Sequence, residues 1–187
     1  MRKMTTTLVA AAALLGAFAA PAAADRPDWA DKAETTIVET AVALSGGDSA
    51  GVFDDNPDDF DILINALVAT GVVGIFDGTD YTVFAPTDAA FLAVAGTDDE
   101  AAAFAAVVDL LGVDGVTAVL AYHVTDGVRN STSVTRAKQI TMLDGNTITA
   151  RGGFVDAAFS DAGFVALDVR VADGMIHVID TVLLPPS

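Results

Sequence analysis

Two histidines, His123 and His177, and one dense acidic run, Asp54-Asp55-Asn56-Pro57-Asp58-Asp59-Phe60-Asp61, are the residues whose types could do chemistry. Imidazoles act as acid-base groups or metal ligands, and grouped carboxylates hold hard cations. Read as a calcium loop, the run puts Asp54, Asn56 and Asp58 at positions one, three and five. It fails at position six, where Asp59 replaces the required glycine, and at position twelve, where Asn65 replaces glutamate. The acids read more simply as a helix start, with Asn56 as cap and Pro57 as first helical residue. His123 ends a helical stretch and His177 lies mid-strand among aliphatic residues, so each is read as a hydrogen-bonding part of the framework. A shared metal would require both to converge with carboxylates. Ser45, Ser49, Ser131, Ser133 and Ser160 fall in loop-like or strand-edge contexts, and no phosphate-cradling or dinucleotide glycine pattern occurs. The expectation is no catalytic residue, no metal and no cofactor.

Composition narrows the classes further. A chain of 187 residues that is 52% hydrophobic and 19% charged can bury one sizeable core. A net charge of −17 repels phosphate, which excludes nucleic-acid binding through a general basic surface. Without cysteine there are no disulfides, thiolate sites or Cys nucleophiles. The charge is uneven: residues 33 to 128 hold 17 acidic residues and no Lys or Arg, whereas 129 to 187 are nearly neutral. Such a surface gives solubility first, and could also suit a saline habitat, cations or a basic partner.

Met1 to Ala24 have the three parts of a secretory signal: Arg2 and Lys3, an apolar run from Leu8 to Ala20, and small residues to Ala24, where cleavage is expected. The 13-residue run is short of the roughly 20 needed to cross a bilayer. The expected product is secreted or periplasmic, with no membrane insertion after cleavage, and begins with a polar lead-in, residues 25–32.

The elements that must position these residues come next. Ala33 to Leu44 puts Ile37, Ala41 and Leu44 at helical spacing, with Glu34 early. Phe60, Leu63, Ile64, Leu67 and Val68 form a second stripe that Gly71 stops. Asp77-Gly78 marks a turn into a strand, Tyr81 to Ala85. Pro86 ends that strand, Thr87 caps a short helix and Asp88 sits at its positive end. Helices are predicted over Asp98–Leu111 and Asp114–His123, and mostly strands from Val128 onward. Asp144-Gly145 and Asp173-Gly174 mark hairpins, the second joining Val165–Val171 to Met175–Leu184. Met175, His177 and Ile179 share one strand face and Ile176 and Val178 the other, so that strand is covered on both sides. Helices precede strands: an α+β domain.

Three stretches, in this order and spacing, resemble the fasciclin domain family: TVFAPTDAAF at Thr82–Phe91, AYHV at Ala121–Val124 and GMIHVIDTVLLP at Gly174–Pro185. The likeness spans residues 33–185 and takes in the opening TIVETAVAL and the helix DILINALVATG. Thr82, Phe84, Pro86, Thr87, Asp88, Phe91 and His177 are then motif residues of structural value. The resemblance implies a wedge of two packed β-sheets with a cluster of α-helices. It also implies a secreted, non-enzymatic interaction module for cell adhesion or matrix attachment through protein-protein contacts. Its partner would be an extracellular or cell-surface protein or matrix component, and weak self-association is compatible with it. Tyr122 and His123, by their motif, and Asp168 and Val169, in the segment before the second box, are the implied partner contacts. That segment lacks the Glu and Pro before the acid and the Met after the aliphatic residue that integrin-binding members carry. The alternative function is an exported carrier holding a small ligand or cation on the acidic half. Asn130-Ser131-Thr132 matches a glycosylation acceptor.

Overall fold

The structure, a computed structural model, describes residues 35–47, 51–54, 56–76, 79–151 and 153–186. The secretory signal, the lead-in, Glu34, Asp55 and the Asp77-Gly78 turn lie outside the described residues. Five helices and seven strands follow in the order α1 (Ile37–Leu44), α2 (Asp61–Thr70), β1 (Tyr81–Pro86), α3 (Asp88–Ala95), α4 (Glu100–Tyr122), β2 (Val124–Asp126), α5 (Ser131–Arg136), β3 (Ile140–Thr141), β4 (Thr147–Arg151), β5 (Phe154–Asp156), β6 (Asp161–Val171) and β7 (Gly174–Ile179). The fold is α+β, as the sequence predicts. The strands lie in the order β2-β1-β7-β6-β5-β4-β3. β1 and β7 run parallel, while the other neighbours are antiparallel. The start of β6 pairs with β5 and its remainder with β7, so two groups of strands share it. Register shifts near Ala166 mark the change, and bulges of this kind bend a strand.

Local chemistry explains most boundaries. Thr36 and Glu39 form a reciprocal capping box at α1. Gly71 stops α2 and Gly96 stops α3, both left-handed. The two helices expected across residues 98–123 are two helical segments of α4 that meet at Gly112, where φ is 65°. α4 is long and apolar enough to cross a membrane by length and composition, yet Ala103, Val116, Val119, Leu120 and Tyr122 on it are buried in the fold. Both Asp-Gly hairpins form: Met142 N donates to Asn146 O (2.8 Å), and Val171 pairs with Gly174.

Four local expectations are corrected. α2 begins at Asp61 rather than Pro57, with Phe60 at the cap position. Asn56 instead accepts a long bond from Asp58 N (3.4 Å) and donates to Asp59 Oδ2 (3.1 Å). Thr87 occupies the cap position of α3, but its hydroxyl makes no capping bond. α5 interrupts the region read as strand, and β7 ends at Ile179. α1 has the expected helical spacing of Ile37, Ala41 and Leu44, with Ile37 buried and Leu44 52% exposed.

Every residue of β7 is buried, in accord with its two apolar faces. Val83, Ala85, Ile176 and Val178 face a helical core with Ile62, Leu63, Phe91 and Leu120. Phe84 and Ile179 face a second core with Tyr122, Val134, Ile140, Ile148 and Val155. The β1–β7 pair is therefore the partition between the two, and alternate residues of each motif strand serve opposite cores.

Candidate functional site

The motif residues converge on this partition. Thr82 reaches out from β1: its hydroxyl donates to Gly127 O (2.7 Å) and accepts from Arg129 N (2.8 Å), fixing the loop after β2. Phe84 packs 5.6 Å from the His177 ring, with Phe164 beyond it at 6.0 Å from the imidazole. Pro86 pairs in register with Ile179, and Phe91 is buried in the helical core.

Both imidazoles are engaged at both nitrogens, with opposite tautomers. His123 Nδ1–H donates to Val119 O (2.7 Å), and its Nε2 accepts from Leu183 N (2.9 Å). Desolvation lowers its pKa to about 4, against weaker opposing effects of the Val119 carbonyl and Asp144. His177 accepts at Nδ1 from Asp168 N (3.2 Å), and its Nε2–H donates to Arg129 O (2.9 Å). Burial lowers its pKa too, against the Arg129 carbonyl and Asp168. Neither ring belongs to a grouping of side chains able to hold a metal among the described residues.

Burial divides the implied partner contacts: the Tyr122 and His123 side chains lie inside the fold, whereas Asp168 and Val169 are partly exposed. Tyr122 is 0% and His123 3% exposed, so neither side chain reaches the surface of this fold. Tyr122 OH donates to Thr147 O (3.3 Å) and accepts from Ala158 N (3.4 Å), joining α4 to β4 and the loop after β5. Asp168 has φ 59° in the irregular part of β6, a region Asp tolerates better than most residues. Its carboxylate accepts from Ser131 N and Ser131 Oγ, both at 2.6 Å, and so holds the start of α5. Burial works to raise the Asp168 pKa, but Ser131, His177 and Arg170 together outweigh it and hold the group below its ordinary value. Val169 is half-buried against the helical core. Asn130, the glycosylation candidate, caps α5 by accepting from Ser133 N (2.9 Å).

Asp88 has a role that its local sequence hides. Its two carboxylate oxygens accept from Asp61 N (2.9 Å) and Ile62 N (3.0 Å), so the first residue of α3 caps α2. Burial, followed by the neighbouring Asp59 carboxyl, raises its pKa to about 8.

One string, Gly47-Asp48-Ser49-Ala50-Gly51, has the spacing of a hydrolase nucleophile turn. That turn must follow a strand, whereas this string follows helix α1; residues 48–50 lie outside the described residues. Two cavities among the described residues bring few polar side chains together. An apolar cavity of about 40 Å³ under α1 and α2 has His123 as its only ionisable lining residue. A shallow depression of about 430 Å³ over α3 has only Thr97 and Asp98 as polar liners. By contrast, Phe154, Phe159, Val165 and Leu167 are 57, 66, 61 and 43% exposed along β5, β6 and the loop between them. Sequence reasoning missed this face, although Val165 and Leu167 alternate with inward Ala162, Phe164 and Ala166.

Fold and site together define an α+β scaffold whose motif side chains turn inward, while exposed apolar residues lie on α1 to α4, on β5 and β6 and in loops. The fasciclin domain model matches residues 58–185, and the chain belongs to the fasciclin domain family. It is 34% identical over 118 residues to the cell surface glycolipoprotein MPB83 of Mycobacterium bovis, covering 62% of this chain and 49% of that one. It is 31% identical over 161 residues to protein sll1483 of Synechocystis, covering 82% and 84%. The chain thus spans about half the length of the mycobacterial relative and most of the cyanobacterial one. Among solved structures it resembles a FAS1 domain pair of the insect cell adhesion molecule fasciclin I (TM-score 0.51, 18% identity, 64% of this chain and 43% of that chain). The mycobacterial relative is thus named as a cell-surface protein, and the solved structure as part of a cell adhesion molecule.

Proposed function

We propose that this chain is an exported, non-enzymatic interaction module that attaches to an extracellular or cell-surface protein or matrix component. The unit runs from residue 33 to 185: α1, which precedes the family match, is tied in by Ile37 N donating to Asp173 Oδ1 (2.7 Å). The supporting observation is the exposed face of β5 and β6. Phe154 opposes Gly163, so Val165, two residues along, lies diagonally beside Phe154 on the same face. An exposed apolar strip on a hydrogen-bonded strand pair fits a partner surface better than a small molecule. It also lies close in sequence to Asp168 and Val169, so the contact region shifts from the buried Tyr122-His123 pair to the neighbouring strand surface. Each contact is weak alone, and attachment gains from several copies at one surface.

The test replaces Phe154, Val165 and Leu167 by Thr, which keeps strand propensity and removes apolar area. Beads coated with the protein should lose attachment to native extracellular matrix, while circular dichroism and melting temperature stay near those of the parent. Undiminished attachment by the folded triple variant rejects the reading. So does attachment lost equally on Leu110→Ser at the α4 kink, where an exposed apolar residue is available for comparison.

A further inference from the structure

The acidic run fails as a calcium loop, but packing gives its last carboxylates another use. Asp59 precedes α2, Asp61 opens it and Asp88 opens α3. One oxygen from each of the three lies within 4.8 Å of the other two. All three side chains are buried, at 3, 1 and 0% exposure. The backbone ties the same segments together: Asp88 N donates to Asp59 O (3.0 Å) and Ala89 N to Pro57 O (2.8 Å). Three buried carboxylates this close resist being ionised together, because water is absent to weaken their repulsion. No Lys or Arg occurs between Lys32 and Arg129, so the segments that build the group bring no cationic side chain to it. The neighbouring groups are acidic as well, since Asp54 and Glu100 gather with Asp61 on the α4 side. A proton on one member relieves the repulsion.

The hydrogen-bond pattern says where that proton sits. Asp61 Oδ1 accepts from Gly51 N (2.8 Å), and Asp59 Oδ2 accepts from Asn56 Nδ2 (3.1 Å). Asp88 accepts from the two α2 amides at its two oxygens, and its carboxyl also meets that of Asp59. Asp59 Oδ1 is shut off from solvent and receives no backbone or side-chain N–H or hydroxyl. A buried oxygen in that position calls for a donor, and an Asp88 carboxyl that keeps its proton supplies one.

We infer that Asp59 and Asp88 share one proton, that this proton locks the start of α3 to the segment before α2, and that the lock opens in alkaline surroundings. A hydrogen bond between a carboxylic acid and a carboxylate is of the strong, charge-assisted kind. Burial first, then the Asp59 contact, holds the proton on Asp88 up to about pH 8, against the opposing pull of the α2 amides. Once it leaves, two buried carboxylates face each other, and the repulsion falls on the backbone bonds from Asp88 N and Ala89 N to the 57–59 segment. The device works without a ligand and apart from the β5–β6 face.

The test uses the full mature chain. An unfolded aspartate loses its proton near about pH 3.9, whereas folded Asp88 keeps it to about 8. The folded chain therefore binds the extra proton across that window, so this pair's contribution to stability falls as pH rises and levels off above 8. Asp88→Asn cannot titrate, yet its amide can donate to Asp59. In urea unfolding, the folding constant of the parent divided by that of Asp88→Asn should drop about tenfold per pH unit between pH 5 and 7. Infrared spectroscopy of the folded parent at pH 7 should show the carbonyl stretch of a protonated carboxyl that fades with a midpoint near 8 and is missing from Asp88→Asn. Asp59→Asn keeps the contact with Asn56 but removes the facing charge, and should move that midpoint down. Three results overturn the inference: a folded parent with no protonated carboxyl at pH 7, a parent-to-variant ratio that does not change with pH, or a midpoint unmoved in folded Asp59→Asn. The infrared titration of the parent needs no substitution, so it decides the matter even where a variant fails to fold.

Discussion

His123 offers a quantitative check on the claim that a motif histidine is a neutral structural group. Its folded pKa is about 4, and an unfolded histidine titrates near 6.5. In that interval the unfolded chain binds the proton and the folded chain does not, so stability rises with pH. The contribution is fully present above pH 6.5 and is lost as pH falls towards 4. Between pH 7.5 and 4.5 the linkage amounts to about 2.5 kcal/mol, because each pKa unit is worth about 1.4 kcal/mol. Other ionisable groups add to the parent's pH dependence, so the parent alone cannot isolate this contribution.

His123→Asn separates it. The Asn amide can still donate to Val119 O in place of Nδ1–H, but leaves Leu183 N without its Nε2 acceptor. The variant should therefore be less stable at pH 7.5, and the gap should narrow by about 2.5 kcal/mol at pH 4.5. All other titrating groups are common to both proteins and cancel in the difference. Urea unfolding at several pH values measures the gap, and nuclear magnetic resonance of the imidazole gives the midpoint directly. A gap that stays constant with pH, or a ring that titrates near 6.5, would refute the reasoning.

Two further outcomes follow from the packing. Asp88→Ala removes the acceptor for both Asp61 N and Ile62 N and should cost about 1–3 kcal/mol in urea unfolding; Asp88→Asn, which retains one acceptor, should cost less. A ranking in which Asn is worse than Ala would mean that the capping geometry is not what matters. Gly174→Ala would drive a Cβ into the Tyr81 carbonyl at the parallel β1–β7 pair and should cost about 3 kcal/mol or more. Gly71→Ala meets no atom within 4 Å and bears only the strain of its left-handed backbone, so equal losses at the two glycines would argue against the close approach.

What the sequence disclosed depended on how far apart the interacting residues lie along it. The strand, proline break and helix over Tyr81–Phe91 need only neighbouring residues, as do the Asp-Gly hairpins, and all were legible. The start of α2 was not. Asn56 and Pro57 form a good local signal, but they are outcompeted by Asp88, 26 and 27 residues beyond the amides it satisfies. α5 was hidden for the same reason: Ser131–Arg136 is polar and β-branched, with weak helix propensity, and its first amide is held by Asp168, 37 residues away. The Tyr-His motif was legible as a motif, but nothing in the two letters distinguishes a side chain that meets a partner from one that meets the core.

That distinction decides how attachment experiments on this chain must be read. Thr82, Tyr122, His123 and His177 each use their polar atoms on contacts within the fold, and leaving such a buried group unpaired costs about 1–3 kcal/mol. A partner could engage them only by breaking those contacts, so replacing them changes the scaffold before it changes any interface. Loss of attachment in a Tyr122→Ala, His123→Ala double variant would therefore report unfolding of α4 from β4 and from the 183 backbone. Loss in the Phe154, Val165 and Leu167 variant carries no such ambiguity, because those side chains already face solvent and their removal leaves both cores intact. The two variants should diverge: the buried pair loses melting temperature and attachment together, whereas the strand face loses attachment alone.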